Sequence, residues 1–319
     1  MLNLFRIKYA SYLILSKMSN LTSKELYGSM TALVTPMSNN AEIDYIQWQS
    51  LIKHQIKAGI RAIIVAGTTG ESALLNNNEF EQLLNIAIEC CKGSQTRVIA
   101  QTGNIAADIV IENNKVASQA GADAVLVVTP YYIRTTQRGL YQHFKKVADA
   151  SDLPIILYNV PGRTQNDMLA KTTASLAKHK NIIGIKEAAA DENRITELVK
   201  TITTDFAILS GNDDTFLLSM QQGATGVISV ASNVRPLLIS QICNLMALGD
   251  VISAKKLNSS LVNLFKMLSY QPNPIPVKYL LHQASLIGDG IRLPLVWLDG
   301  NIADSKLEIE QIIKEYSKI

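Results

Sequence analysis

Four short stretches of this 319-residue sequence carry side chains that can do chemistry together: "GTTGES" (67–72), "TPYY" (129–132), "YNVPGRT" (158–164) and "IIGIKEA" (182–188). The informative residue is Lys186, which closes the apolar run "IIGIK". Lysine is seldom withdrawn from water unless it is paired, so the bland account is an ion pair with Glu187. The chemical account starts from the same burial. Desolvation favours the neutral amine, and a neutral amine attacks a ketone. A Schiff base made in this way needs a proton shuttle, because addition, dehydration and enamine formation each move a proton. Tyr158 suits that work, and Thr68 and Tyr132 can relay the proton to solvent. Arg163 offers a planar fork for one carboxylate, and the amides around Thr68 and Thr69 can hold another. An amine nucleophile, a ketone and two carboxylates describe a pyruvate-dependent condensation or cleavage. Singly, each tyrosine has ordinary packing as its competing account, and "GTTGES" has a plain turn.

For these residues to meet, the chain must bring them to one rim. β-rich apolar runs recur along the sequence: "SMTALV" (29–34), "AIIVA" (62–66), "RVIAQ" (97–101), "AVLVVT" (124–129), "PIILYNV" (154–160), "IIGIK" (182–186), "FAILS" (206–210) and "GVISV" (226–230). Continuous rather than alternating apolarity marks strands covered on both faces. Helical periodicity fills the intervals. Trp48, Ile52 and Ile56 share one helical face, and Gly59, Gly93 and Gly121 are placed as left-handed terminators. The pattern predicts an α/β fold, a (β/α)8 TIM barrel with a C-terminal helical appendage. A doubly wound open sheet competes, without a GxGxxG or Walker A pattern after the first strand to support it. In the barrel, reactive groups belong at the C-terminal strand ends, where all four stretches fall. The expected division is 1–24 as an N-terminal extension, 25–249 as the barrel and 250–319 as the helical domain.

The remaining composition narrows the function. A net charge of +3 without a basic run argues against nucleic acid. Cys90, Cys91 and Cys243 lack CxxC spacing and the four histidines are dispersed, which points to structural thiols in a reducing compartment and no metal. No run reaches the length of a membrane span. The first 24 residues hold Arg6, Lys8, Lys17 and Lys24 and no acid. They read equally as an organellar presequence or as a misassigned start with Met18 as the true one, so the location is an organelle or the cytoplasm.

Taken with "GVISV" and "PNPIPVK", the four stretches resemble the dihydrodipicolinate synthase family over essentially the whole chain from about residue 28. The resemblance implies that Lys186 forms the Schiff base with pyruvate, with no other cofactor, and that Tyr158, Thr68 and Tyr132 form the proton relay. It implies that Thr69 helps hold the pyruvate carboxylate, that Arg163 receives the carboxylate of aspartate semialdehyde, and that Gly211 and Ile228 line the site with backbone. Tyr132 would reach into a neighbouring subunit, so a dimer, paired into a homotetramer, is implied. N-acetylneuraminate lyase and the keto-deoxy-sugar aldolases share the barrel and the lysine. Arg163 discriminates, since a polyhydroxylated sugar wants hydroxyl-binding groups there. A non-catalytic keto-acid sensor is a further alternative, expected to have lost the lysine or the tyrosines. Glu71 is expected to support its loop. The sequence departs from lysine-inhibited members. Ser72, Ala73 and Tyr131 remain, but Asn77 and Phe80 stand for histidines, and Ile105 and Ile109 for an asparagine and a glutamate, so weak or absent inhibition is expected. Ala189 and Ala190 depart as well and are expected to stiffen the loop after the lysine.

Overall fold

The protein is described from a computed structural model covering residues 21–298, 302 and 305–318. The N-terminal extension up to residue 20 lies outside the described residues.

Eight strands follow one another as predicted: β1 (Gly28–Ala32), β2 (Ala62–Val65), β3 (Arg97–Gln101), β4 (Ala124–Val128), β5 (Ile155–Asn159), β6 (Ile182–Glu187), β7 (Ala207–Ser210) and β8 (Gly226–Ser229). They close in sequence order into a barrel, and β1 pairs in parallel with both β2 and β8. Closure excludes the open doubly wound sheet. The reason for the apolar runs is now visible. Met30, Ile64, Leu126, Ile156, Leu209 and Ile228 fill the interior, while Ile63, Val65, Val125 and Ile185 pack outward against helices. Both faces are dry, so neither needs polar residues.

The helices carry the punctuation the sequence announces. In Tyr45–Lys57, Asp44 caps the start by accepting from the Ile46 and Gln47 N–H groups, and the indole of buried Trp48 donates to the Leu83 carbonyl at 3.1 Å. Gly59 follows the helix in the left-handed region (φ 76°), where glycine carries no Cβ penalty.

Beyond the helix Pro236–Ala247 come four more helices and no strand among the described residues: Val251–Ser259, Val262–Leu268, Ile275–Gln283 and Ser305–Tyr316. The last is pinned by Arg235, which reaches Glu308 at 2.9 Å and Glu315 at 2.7 Å, and by the Tyr316 hydroxyl, which donates to the Asn233 carbonyl. The connection before Ile275–Gln283 crosses the barrel mouth, where Asn273 donates through Nδ2 to the Thr69 hydroxyl at 3.0 Å.

Candidate active site

Alternation along β6 decides which of two adjacent charged residues faces inward. Successive side chains on a strand point to opposite faces. Lys186 lies opposite Tyr158 on β5 and Leu209 on β7, both interior residues. Glu187 therefore turns outward, and the Lys186–Glu187 ion pair allowed by the sequence does not form. Lys186 is 6% exposed, with Nζ 4.4 Å from the centroid of the Tyr158 ring, a distance at which a ring face attracts a cation.

The amine opens onto a cavity of about 500 Å³ at the C-terminal strand ends, lined by Thr68, Thr69, Tyr158, Arg163 and Gly211 among others. Gly211 has a steric reason to be glycine: a Cβ there would come within 2.7 Å of Ala188 Cβ and 3.0 Å of Lys186 Cε. Arg163 projects from the short helix Pro161–Thr164, and its Nη2 donates to the Asn273 carbonyl at 3.2 Å. Thr69 is buried and Thr68 is half-buried on the turn after β2. Gly70 packs against its own chain, since a Cβ would meet the Leu33 carbonyl at 3.0 Å, so chain packing by itself favours a glycine here.

Two of the predicted site residues stand apart from this cavity. Ile228 is wholly buried among the interior residues of the barrel. Tyr132 is 92% exposed with a left-handed φ of 69°, and it lines neither of the cavities described here. An adjoining cavity of about 540 Å³, which shares Thr68 and Arg163 with the first, is lined by Ser72, Ala73, Asn77, Phe80, Ile109 and Tyr131 among others.

Three residues near the site are not among the predicted site residues, although two of them, Asn273 and Lys278, stand within "PNPIPVK". Asn273 contacts both Thr69 and Arg163. Asp213 lines the cavity, its Oδ2 accepting from Val230 and Ala231 N–H at 2.9 and 2.8 Å. Burial pushes its carboxyl up, opposed by the Ser229 hydroxyl, those two N–H groups and the Lys186 charge. Lys278 is the third, buried against Glu71.

Glu187 belongs to a polar layer behind the strands. It accepts from Asn159 Nδ2 at 3.0 Å and from Ala189 N–H at 2.8 Å, with Arg194 at 3.6 Å, itself forked onto Asp167. Burial pushes the Glu187 carboxyl up to about 7, against the Ala189, Asn159 and Arg194 contacts. A carboxyl raised in the folded state binds its proton more tightly there. Its stabilising contribution is therefore complete below the unfolded pKa and is lost as pH rises through about 7. We expect Glu187→Gln to flatten the fall in stability between pH 5 and 8, by about 3 kcal/mol at most at 1.36 kcal/mol per pKa unit. Denaturant unfolding of both proteins across that range checks it, and parallel curves would refute it.

Among the described residues, no group of three or more His, Cys, Asp or Glu could hold a metal ion. No helix is long and apolar enough to cross a membrane.

Comparison with known proteins places these features in a family context. Residues 25–316 match the model of the dihydrodipicolinate synthetase family. A 4-hydroxy-tetrahydrodipicolinate synthase from Stutzerimonas stutzeri is 45% identical over 271 residues, covering 85% of this chain and 92% of the relative. Among solved structures, the chloride-inhibited dihydrodipicolinate synthase of Acinetobacter baumannii complexed with pyruvate superposes with a TM-score of 0.85 at 39% identity, covering 92% of this chain and 100% of that one. A monomeric dihydrodipicolinate synthase variant matches with a TM-score of 0.86 at 37% identity, covering 93% and 99%.

Proposed function

The chain belongs to the dihydrodipicolinate synthetase family, and from that premise we propose that it is a lyase condensing pyruvate with L-aspartate 4-semialdehyde through a Schiff base on Lys186. One observation carries the reading. A buried amine lies against a tyrosine ring, at 4.4 Å, in a cavity that also holds two threonines and a guanidinium.

In this reading the Lys186 amine adds to the ketone carbon of pyruvate, and the carbinolamine loses water to give an iminium. Loss of a methyl proton yields an enamine, whose carbon attacks the aldehyde carbon of the second substrate. The alkoxide formed takes up a proton. The semialdehyde's own amine then displaces Lys186, closing the ring of 4-hydroxy-tetrahydrodipicolinate, the product used in lysine and diaminopimelate synthesis. Water is the other product, and no cofactor enters the balance. Tyr158 moves the protons nearest the amine and passes them to Thr68 and Tyr132. Thr69 holds the pyruvate carboxylate, Arg163 grips that of the semialdehyde, and backbone at Gly211 lines the pyruvate, with Ile228 in the interior layer beneath the cavity.

Tyr132, exposed here, takes its place in the relay by reaching into a second copy, so the active unit is a dimer, paired as a homotetramer. On this reading residues 25–249 are the catalytic barrel, 250–319 form the helical domain, and the enzyme works in the cytoplasm, or in an organelle if residues 1–24 are a presequence.

The test is turnover of pyruvate with either aspartate semialdehyde or N-acetylmannosamine, the former followed through a reductase that consumes the product. We expect turnover with the semialdehyde and a preference on the order of 10⁴, the scale at which a site built around a polar group rejects a substrate lacking it. Lysine added at low concentration is expected to leave the rate unchanged. Turnover with the sugar alone would overturn the role of Arg163, and turnover with neither would favour another aldol acceptor or a sensor.

A further inference from the structure

The sequence motif "PNPIPVK" ends in Lys278, a residue to which the reaction above gives no work. Its side chain is 0% exposed, and so is that of its partner Glu71; Nζ and Oε1 are 2.5 Å apart. The other carboxylate oxygen, Oε2, accepts from the Arg292 N–H at 3.2 Å. Glu71 itself sits in the left-handed region at φ 60°, an unfavourable conformation for a residue with a Cβ.

A buried ion pair is poor evidence for stability, because two apolar side chains of similar volume commonly do as well. What this pair joins is therefore informative. Glu71 closes the turn that follows β2, and that turn is bonded within itself: Gly70 N–H and Ser72 N–H donate to the Gly67 carbonyl, and Glu71 N–H to the Thr68 carbonyl. Such a unit moves as one piece, and its orientation depends on what grips it from outside. Thr35 donates to the Gly70 carbonyl at 2.7 Å. Among the described residues, the remaining hydrogen-bonded grips come from the C-terminal segment: Asn273 on Thr69, Lys278 and Arg292 on Glu71. Arg292 is in turn fixed by a fork onto Glu79 at 2.8 and 2.6 Å.

We propose that Lys278 is a positioning residue: through Glu71 it sets the orientation of the turn that presents Thr68 and Thr69 to the amine of Lys186. The proposal rests on the functional reading above for its consequence in catalysis, and on the buried pair for its mechanical part. It also gives the C-terminal helices a share in the active site, since the helix Ile275–Gln283 carries the cation.

The experiment compares the wild type with Lys278→Met and with the double variant Lys278→Met/Glu71→Gln. The single variant leaves a carboxylate buried without its cation and is expected to melt at a markedly lower temperature. The double variant removes that uncompensated charge and keeps an acceptor for the Arg292 N–H, so most of the lost melting temperature returns. A merely structural pair would bring kcat back with it. We expect instead that kcat of the refolded double variant stays at least about tenfold low, and that amide hydrogen exchange across residues 67–72 is at least about tenfold faster while that of β2 is unchanged. A double variant with wild-type melting, kcat and exchange overturns the proposal. Should the wild type itself neither turn over nor be trapped by borohydride with pyruvate, the functional reading fails. The exchange measurement then decides the mechanical part alone, and unchanged exchange overturns it.

Discussion

Lys186→Ala is expected to abolish turnover, by on the order of 10⁴-fold or more, the scale seen when a covalent nucleophile is removed, while the protein remains folded. The two halves of that expectation have separate causes. The amine is the only group of the chain assigned to bond with substrate, so its loss removes a step rather than slowing one. Folding survives because Lys186 lies next to the end of its strand, at the rim of a cavity, and makes no ion pair within 4.0 Å among the described residues. The interior residues beneath it, Ile156, Leu209 and Ile228, stay in place. Lys186→Arg is expected to be equally inactive, because a guanidinium keeps its proton and cannot attack a carbonyl. Borohydride reduction with pyruvate, read by intact mass, checks both: the wild type gains the reduced adduct and neither variant does. Adduct on Lys186→Ala would transfer the nucleophile to another lysine.

The second large effect is expected at Tyr158. Tyr158→Phe keeps the ring beneath Lys186 Nζ, so packing and the 4.4 Å contact persist and only the hydroxyl is lost. Removal of a positioned acid–base group costs roughly 10²–10⁴ in rate. We expect kcat to fall within that range, the melting temperature to hold, and adduct formation with pyruvate to slow without disappearing, since solvent can still carry protons to an open cavity. A rate within about threefold of wild type would remove Tyr158 from the relay and leave it the bland role of packing.

The contrast between Lys186 and Glu187 shows how far local sequence reaches. Both are charged and adjacent, and the run "IIGIK" indicates only that a strand ends there. Period-two alternation requires them to diverge, yet which one faces inward depends on register with β5, where Tyr158 pairs with Lys186 and Asn159 with Glu187. Register is a property of two strands, so one strand's composition does not contain it. Strand limits differ by a residue or two for the same reason: the apolar run predicts β1 at 29–34 and the strand runs Gly28–Ala32, because pairing with β8 begins at Gly28.

By itself the sequence determined the order and type of the eight strand and helix units and the strand ends on which the reactive residues lie, while the pairing of β1 with β8 decided for a closed barrel over an open sheet. The former follow from short-range causes: apolar runs covered on both faces, helical spacing, glycines at helix ends, and residues placed at strand ends. Only the tertiary structure decided which groups meet across long separations. Asn273 reaches Thr69 over 204 positions and Lys278 reaches Glu71 over 207, and neither contact leaves a local pattern because neither depends on periodicity. The outward aim of Tyr132 is decided there too, by a left-handed backbone at a non-glycine residue, a conformation that residue type alone disfavours and that only the surrounding chain can impose.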